Sequence, residues 1–139
     1  MVEDQNFHKV KKIIYVLILF FVFASKSYSQ NFKLEKLVNL DSPWGSSFIN
    51  SNEIIITEKS GKIKIVNILS REVQEISHQL NFVVHGQGGL LDILFKDNTV
   101  FVSYSENRSK GMSSTSVARA NFNIKKLDFK NIFQAQPPI

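Results

Sequence analysis

Short runs of β-branched and other apolar residues, separated by turn-forming residues, fill the chain from residue 44 onward. Residues 53–58 form one such run, Ser60-Gly61 is typical of a tight turn, and residues 62–66 alternate polar and apolar positions, so this stretch predicts a β-hairpin. The other predicted strands are 44–49, 72–77, 90–95, 100–104, 115–122 and 127–133. The run 90–95 is apolar except at Asp92, which is typical of a strand buried on both faces. Residues 106–114 predict a polar loop, and no convincing amphipathic helix follows residue 30.

The predicted strands fall into two groups of about four. Each group starts with an apolar strand, and the matching positions Gly45 and Leu90 are 45 residues apart, within the roughly 40–50 residue period of propeller blades. A single β-sandwich of seven or eight strands fits the same pattern. A propeller needs about 4–8 blades to close, and a blade without neighbours is poorly stable. The sequence therefore predicts an all-β chain with about two N-terminal blades of a longer protein, in which residues 136–139 resemble a linker between blades.

The first 29 residues predict a signal peptide. Three lysines within residues 9–12 precede an unbroken apolar run of 12 residues, 13–24, and a short polar region follows. Ser27 and Ser29 flank Tyr28 as small residues, so we place the cleavage after Ser29. Twelve helical residues cover roughly 18 Å, less than the ~30 Å hydrocarbon core; an uncleaved N-terminal anchor is the alternative. We expect a periplasmic or secreted protein, off the membrane after cleavage, with a partial β-propeller at 30–139.

Composition and charge exclude several classes of function. Hydrophobic residues make up 43% and charged residues 21% of the chain, as in globular proteins, and cysteine is absent. Disulfides, thiolate metal sites and a thiol nucleophile are therefore excluded. The net charge of +5 falls to +3, from 13 basic and 10 acidic residues, once residues 1–29 are removed. Such a mild charge without a basic stripe gives no support for nucleic acid as a partner.

Three motifs in order resemble the opening of the glucose/sorbosone dehydrogenase family. They are Leu-Asp-Ser-Pro-Trp-Gly at 40–45, Ile-Ile-Ile-Thr-Glu-Lys-Ser-Gly-Lys-Ile at 54–63 and Gly-Gln-Gly-Gly-Leu-Leu-Asp-Ile at 86–93. The resemblance covers about residues 33–139. It implies a secreted six-bladed propeller that uses pyrroloquinoline quinone (PQQ) and calcium to oxidise aldose sugars at C1 and passes the electrons to an external acceptor. A non-catalytic secreted propeller or sandwich module that binds carbohydrate or protein is the alternative function.

The resemblance assigns one site residue to this chain, Gln87, at the cofactor. A carboxamide both donates and accepts hydrogen bonds, and flanking glycines let the backbone approach a flat ligand closely. A mere tight turn between blades is the alternative reading of residues 86–89. The family's catalytic histidine, its quinone-binding cations and its calcium ligands are implied to follow Ile139, so no catalytic or metal-binding residue is predicted here and the chain alone is expected to be inactive.

Other residues that could carry chemistry have simpler interpretations. His85 lies beside the glycine-rich stretch but has no evident orienting partner, which a general base needs. His78 lies seven residues earlier without a nearby carboxylate cluster, which makes a poor metal site. Asp92 is expected to bind loop amides or to pair between blades. Glu58 and Lys59 are expected to form a solvated pair beside the hairpin turn.

Overall fold

The computed structural model describes residues 11–16 and 32–138. Residues 11–16 are helical, and within these two described ranges no helix has the length and hydropathy needed to cross a membrane. Most of the predicted signal peptide, including its cleavage site, lies outside the described residues. The remainder of the chain, from Lys36 onward, forms a separate compact unit.

The described residues of this unit form nine strands in two sheets. The strands are β1 (Pro43–Asn50), β2 (Glu53–Glu58), β3 (Ile63–Asn67), β4 (Val73–His78), β5 (Leu90–Lys96), β6 (Thr99–Asn107), β7 (Ser113–Asn121), β8 (Lys126–Leu127) and β9 (Lys130–Gln134). The first sheet has the strand order β1-β2-β3-β4-β8, in which β1 to β4 pair antiparallel and the short β8 adds in parallel at the edge, and the second is antiparallel with the order β5-β6-β7-β9. Two successive four-stranded meanders are the arrangement of two propeller blades, as the strand pattern predicts.

Tight turns join the strands where the sequence places them. The predicted hairpin is formed by β2 and β3, and Gly61 in its turn has a φ of 106°. The turn between β5 and β6 is made by Asp97 and Asn98, with φ of 49° and 58°. Two central residues in the left-handed region match the twist of a two-residue hairpin, and Asp and Asn tolerate that region better than most residues.

The predicted strand 127–133 is confirmed only at residues 130–133, because the chain before them divides between the two blades. Residues 126–127 form β8, which pairs in parallel with the end of β4, whereas β9 pairs with β7. Between them, the carboxamide of Gln79 accepts from the N–H of Phe129 at 3.2 Å and donates to its carbonyl at 2.9 Å. These hydrogen bonds and the burial of the Phe129 ring fix the chain between β8 and β9, so the two do not join into one continuous strand.

Two further predictions differ from the structure. The polar loop 106–114 is shorter than predicted, because β6 continues to Asn107, β7 begins at Ser113, and a 3₁₀ turn at Ser109–Gly111 lies between them. The strand at 90–95 is not buried on both faces: Leu94 is 51% exposed. One face of β5 packs on β1 and β2, and the face that carries Leu94 has no sheet over it among the described residues.

The hydrophobic core lies between the two blades. It combines isoleucines of the first blade with aliphatic and small residues of the second, and the connection between β7 and β9 closes it. Its buried members are Ile55, Ile63, Ile65, Ile76, Leu90, Ile93, Val100, Val102, Tyr104, Ala118, Ala120, Leu127 and Phe129. Because the core draws on both sheets, each blade buries its apolar face against the other.

The innermost strands of the two blades approach each other very closely at Gly45. A Cβ built on Gly45 would lie 2.7 Å from the Cα of Asp92, a distance that no methyl group tolerates. The hydroxyl of Ser47 accepts the N–H of Phe95 at 3.0 Å in the same contact. The packing of β1 on β5 thus depends on the absence of a side chain at one position and on short polar side chains beside it.

Candidate functional site

The glycine loop, residues 86–89, connects the two blades at the end of the sheets where β5 begins. Its last residue, Gly89, is hydrogen-bonded to the second blade, since the N–H of Ser105 donates to the carbonyl of Gly89 at 2.9 Å. Its first residue, Gly86, is hydrogen-bonded to the first blade, since the ammonium of Lys59 donates to the carbonyl of Gly86. The loop is therefore held between the blades rather than extending freely from one of them.

Gln87 is exposed at the tip of this loop. The N–H of Gly88 donates to the carbonyl of His85 at 2.7 Å, which closes a turn around Gln87. A Cβ built on Gly86 would meet nothing within 4 Å, so one side of the loop is open. The carboxamide and this open glycine backbone fit the edge of a flat polar ligand. The structure thus leaves Gln87 available for the role that the resemblance implies.

Lys59 is half-buried and bound to neighbouring segments, whereas the sequence predicts a fully solvated turn residue. Its backbone N–H donates to the carbonyl of Ser42 at 3.0 Å, just before β1. Its own carbonyl lies so close to Gly89 that a Cβ there would come within 2.2 Å of the oxygen. Gly89 also has a φ of 138°, and both facts require glycine at this position.

Glu58 is not solvated, and it pairs with a different lysine. The side chain is fully buried, and its Oε1 accepts from the ammonium of Lys64 and from the N–H of Asp41, each at 2.7 Å. Desolvation by burial, the largest influence, acts to raise the pKa of this carboxyl. The hydrogen bonds and the positive charges of Lys64 and Lys62 outweigh it, so the pKa of Glu58 is lowered.

Two of the three histidines, His78 and His85, lie in the described residues; their surroundings differ, and neither joins a metal-holding group there. The Nε2 of His78 lies 2.7 Å from the carbonyl of Gly61, and its Nδ1 accepts the N–H of Leu80 at 3.3 Å. Both ring nitrogens of His78 are thus used within the fold, whereas His85 is exposed. Asp92 Oδ1 accepts the N–H of Ile93 at 2.9 Å, and no hydrogen bond joins Asp92 to His85.

A second polar cluster, which the sequence analysis did not find, centres on the carboxylate of Glu106. It accepts hydrogen bonds from Ser116 at 2.6 Å, Arg108 at 3.0 Å, Asn131 at 2.9 Å and Gln134 at 2.8 Å. Glu106 is on the same face of β6 as Val102 and Tyr104. Extending the alternation of the predicted strand 100–104 by two residues would therefore have included Glu106 in that strand.

Tyr104 extends this cluster into the core. Its hydroxyl donates to Asn131 Oδ1 at 2.7 Å. Burial, the largest influence, raises the pKa of Tyr104; the charge of Glu106 adds to this, and the charge of Arg108 opposes it. The four side chains that donate to Glu106 and the hydroxyl of Tyr104 therefore all have hydrogen-bond partners, and these bonds stabilise the end of the second blade.

No group of three or more His, Asp or Glu side chains within residues 11–16 and 32–138 is arranged to hold a metal ion. Among the described residues, the candidate ligand-binding element is therefore the exposed glycine loop, which hydrogen bonds to Lys59 and Ser105 hold in place.

The sequence profile of the family described as Glucose / Sorbosone dehydrogenase matches residues 40–139, which include both blades. The chain belongs to this family. It is 36% identical over 110 residues to an uncharacterised protein of Synechocystis sp., and 28% identical over 109 residues to the aldose sugar dehydrogenase YliI of Escherichia coli. These alignments cover 68% and 72% of this chain, but the chain spans only 26% and 29% of the length of the two relatives.

Solved structures of sugar dehydrogenases share the fold of the two blades. The soluble aldose sugar dehydrogenase of E. coli in its apo form superposes with a TM-score of 0.65 at 28% identity, over 71% of this chain and 31% of that one. A glucose dehydrogenase gives 0.67 at 26% identity, over 72% and 32%. A PQQ-bound aldose sugar dehydrogenase of Streptomyces coelicolor gives 0.62 at 18% identity, over 71% and 32%, and supports the fold alone. The propeller prediction is thus confirmed and the single β-sandwich is wrong.

Proposed function

We propose that this chain supplies the first two blades of a PQQ-dependent dehydrogenase that oxidises aldose sugars at C1. The complete protein, meaning this chain together with the blades that follow it, would be a six-bladed propeller. The family membership of residues 40–139 and the chain's share of about 30% of its structural relatives support this proposal.

The observation that carries the proposal is the exposed position of Gln87 on a loop fixed between two blades. The carboxamide can donate to a quinone or carboxylate oxygen of PQQ, while the open backbone at Gly86 admits a flat ring system. The bound quinone supplies the two-electron redox chemistry, so the protein has to bind, orient and polarise it. In this chain that task falls to the glycine loop.

The remaining parts of the reaction belong to the blades beyond residue 139. We place there the histidine that takes the proton from the sugar hydroxyl, the cations that bind the quinone and the calcium ligands. The sugar and the external electron acceptor would reach the cofactor in the complete protein. We further propose export to the periplasm through a signal peptide at residues 1–29, which ends after Ser29.

The test begins with the DNA that follows the codon for Ile139. An open frame that encodes a His-x-Gly-x-Arg-Leu-like motif shortly downstream is the expected result, and the longer product should then reduce a dye with glucose or another aldose when PQQ and calcium are added. The 139-residue chain is the matched control and should show no turnover. A stop codon at residue 139, or a longer product that binds no PQQ, would overturn the proposal in favour of a non-catalytic binding module.

A further inference from the structure

The turn between β2 and β3, residues 59–61, is fixed on several sides and is therefore a rigid support. The N–H of Glu58 donates to the carbonyl of Lys62 at 2.8 Å, and the N–H of Gly61 donates to that of Glu58 at 2.9 Å. His78 bonds the carbonyl of Gly61 at 2.7 Å. The ring of Phe82 covers Gly61 so closely that a Cβ there would lie 2.0 Å from its Cζ. Little of this turn can move without breaking a buried contact.

The glycine loop, in contrast, is intrinsically flexible. Three of its four residues are glycine, which loses more conformational freedom on folding than any other residue. Gly86 has a φ of 54° and open space around it, so side-chain packing does not restrict its backbone. A defined position for Gln87 therefore has to come from hydrogen bonds to the loop backbone.

Lys59 joins the rigid turn to the flexible loop. Its ammonium donates to the carbonyl of Gly86, one residue before Gln87. Its backbone carbonyl packs against Gly89 on the other side of Gln87. Lys59, a residue of the first blade, thus contacts both ends of the glycine loop.

We propose that Lys59 is a positioning residue, which holds the glycine loop so that the carboxamide of Gln87 faces the cofactor. The part that concerns PQQ rests on the proposed function. The side chain acts through the loop backbone, because its ammonium is bound to a carbonyl of the loop. A charged donor to a carbonyl makes a stronger hydrogen bond than a neutral one, which suits a loop that glycine would otherwise leave mobile.

The first experiment measures loop order by amide hydrogen exchange in the complete protein without added cofactor. The reporters are Gly88, whose N–H closes the turn, and Ser105, whose N–H binds Gly89. Lys59→Met, which keeps the aliphatic stem, should speed exchange at both by about fivefold or more and leave the β6–β7 ladder unchanged. Lys59→Arg should restore slow exchange. Lys62→Met removes an exposed lysine beside the same turn and should have no effect.

The second experiment measures PQQ affinity in the complete protein. If Lys59 acts through Gln87, Lys59→Met and Gln87→Ala should each weaken binding by about tenfold, and the double variant should be no weaker than either single one. Lys59→Arg should bind within about twofold of the unaltered protein. Additive losses would mean that Lys59 contacts the cofactor directly, which would overturn the positioning role.

The two experiments separate failure of this inference from failure of the proposed function. Unchanged exchange in Lys59→Met, or reporters that exchange at the unprotected rate before any substitution, would overturn the positioning role. Slowed exchange that depends on Lys59, in a complete protein that binds no PQQ, would uphold the positioning of the loop and overturn the proposed cofactor.

Discussion

The hydroxyl of Thr57 donates to the carbonyl of Leu91 at 2.5 Å, from the second strand of the first blade to the first strand of the second. The same oxygen accepts the N–H of Gly45 at 3.0 Å. Thr57 is fully buried, so water does not compete for either bond. One hydroxyl therefore satisfies two backbone groups at the place where β1, β2 and β5 meet.

The first prediction follows from these two bonds. Thr57→Val keeps the shape of the side chain but leaves the N–H of Gly45 and the carbonyl of Leu91 without their partner, and it should lower the free energy of unfolding by about 1–3 kcal/mol. Urea denaturation should show a lower midpoint with an unchanged m-value. Thr57→Ser keeps the hydroxyl and should recover most of the loss. Thr115→Val, on an exposed strand position, is the control.

A second prediction concerns the close approach of the blades at Gly45. Gly45→Ala places a methyl group 2.7 Å from the backbone of Asp92, and a backbone cannot move aside as a flexible side chain can. Overpacking of this kind should destabilise by about 1–3 kcal/mol. Ser46→Ala, at the exposed next position of β1, should change the melting temperature little. Equal melting curves for Gly45→Ala and the unaltered chain would contradict the contact between β1 and β5.

The third prediction concerns the buried pair of Glu58 and Lys64. Lys64→Met leaves an uncompensated buried carboxylate and should destabilise by about 3–5 kcal/mol. Lys62→Met removes an exposed pair with Glu75, at 3.6 Å, and the smallest of the charge effects on Glu58, and should cost about 0–1 kcal/mol. Similar losses in the two variants would show that Glu58 does not depend on Lys64.

The same pair predicts how stability depends on pH. The pKa of Glu58 is lower in the folded protein than its ordinary value, so its contribution is fully present above the unfolded pKa of about 4.3. It is lost as the pH falls through the folded pKa, because the unfolded state binds the proton more readily. Stability measured from pH 7 down to pH 3 should fall less steeply in Glu58→Gln. An equally steep fall in that variant would assign the acid sensitivity to other carboxyls.

The fold could be predicted because its signals are local. The alternation in residues 62–66 predicts a strand by itself, and the Asp97-Asn98 pair predicts a turn by itself. The 45-residue spacing of Gly45 and Leu90 indicates that the same unit occurs twice. The predicted strand 127–133 is correct only in its second half, since the division of this segment depends on Gln79, about 50 residues away. No local pattern shows such a partner.

The candidate site could be predicted only in part for the same reason. The glycines around Gln87 mark a loop from sequence alone, but its support comes from Lys59 in the other blade. Charged residues beside a turn are usually solvated, so Glu58 and Lys59 were given the ordinary interpretation. The partners of Glu58, Lys64 and Asp41, are distant in sequence within the first blade. The contacts of Lys59 with Gly86 and Gly89 exist only after the two blades pack together.

The last prediction separates a ligand site from a simple turn at the glycine loop. Gln87 is exposed, so Gln87→Ala should leave the melting temperature without cofactor nearly unchanged while weakening PQQ binding by roughly 5- to 150-fold in the complete protein, the loss of one hydrogen bond. Gly88→Val should act differently, because a Cβ at Gly88 would lie 3.0 Å from the carbonyl of His85 and 3.1 Å from both Ser105 Oγ and the carbonyl of Val83. It should lower both stability and affinity. Melting curves without cofactor and PQQ titrations of the two variants give the comparison. If Gln87→Ala melts as early as Gly88→Val and still binds the quinone normally, the loop is only a connection between blades and Gln87 is not a cofactor residue.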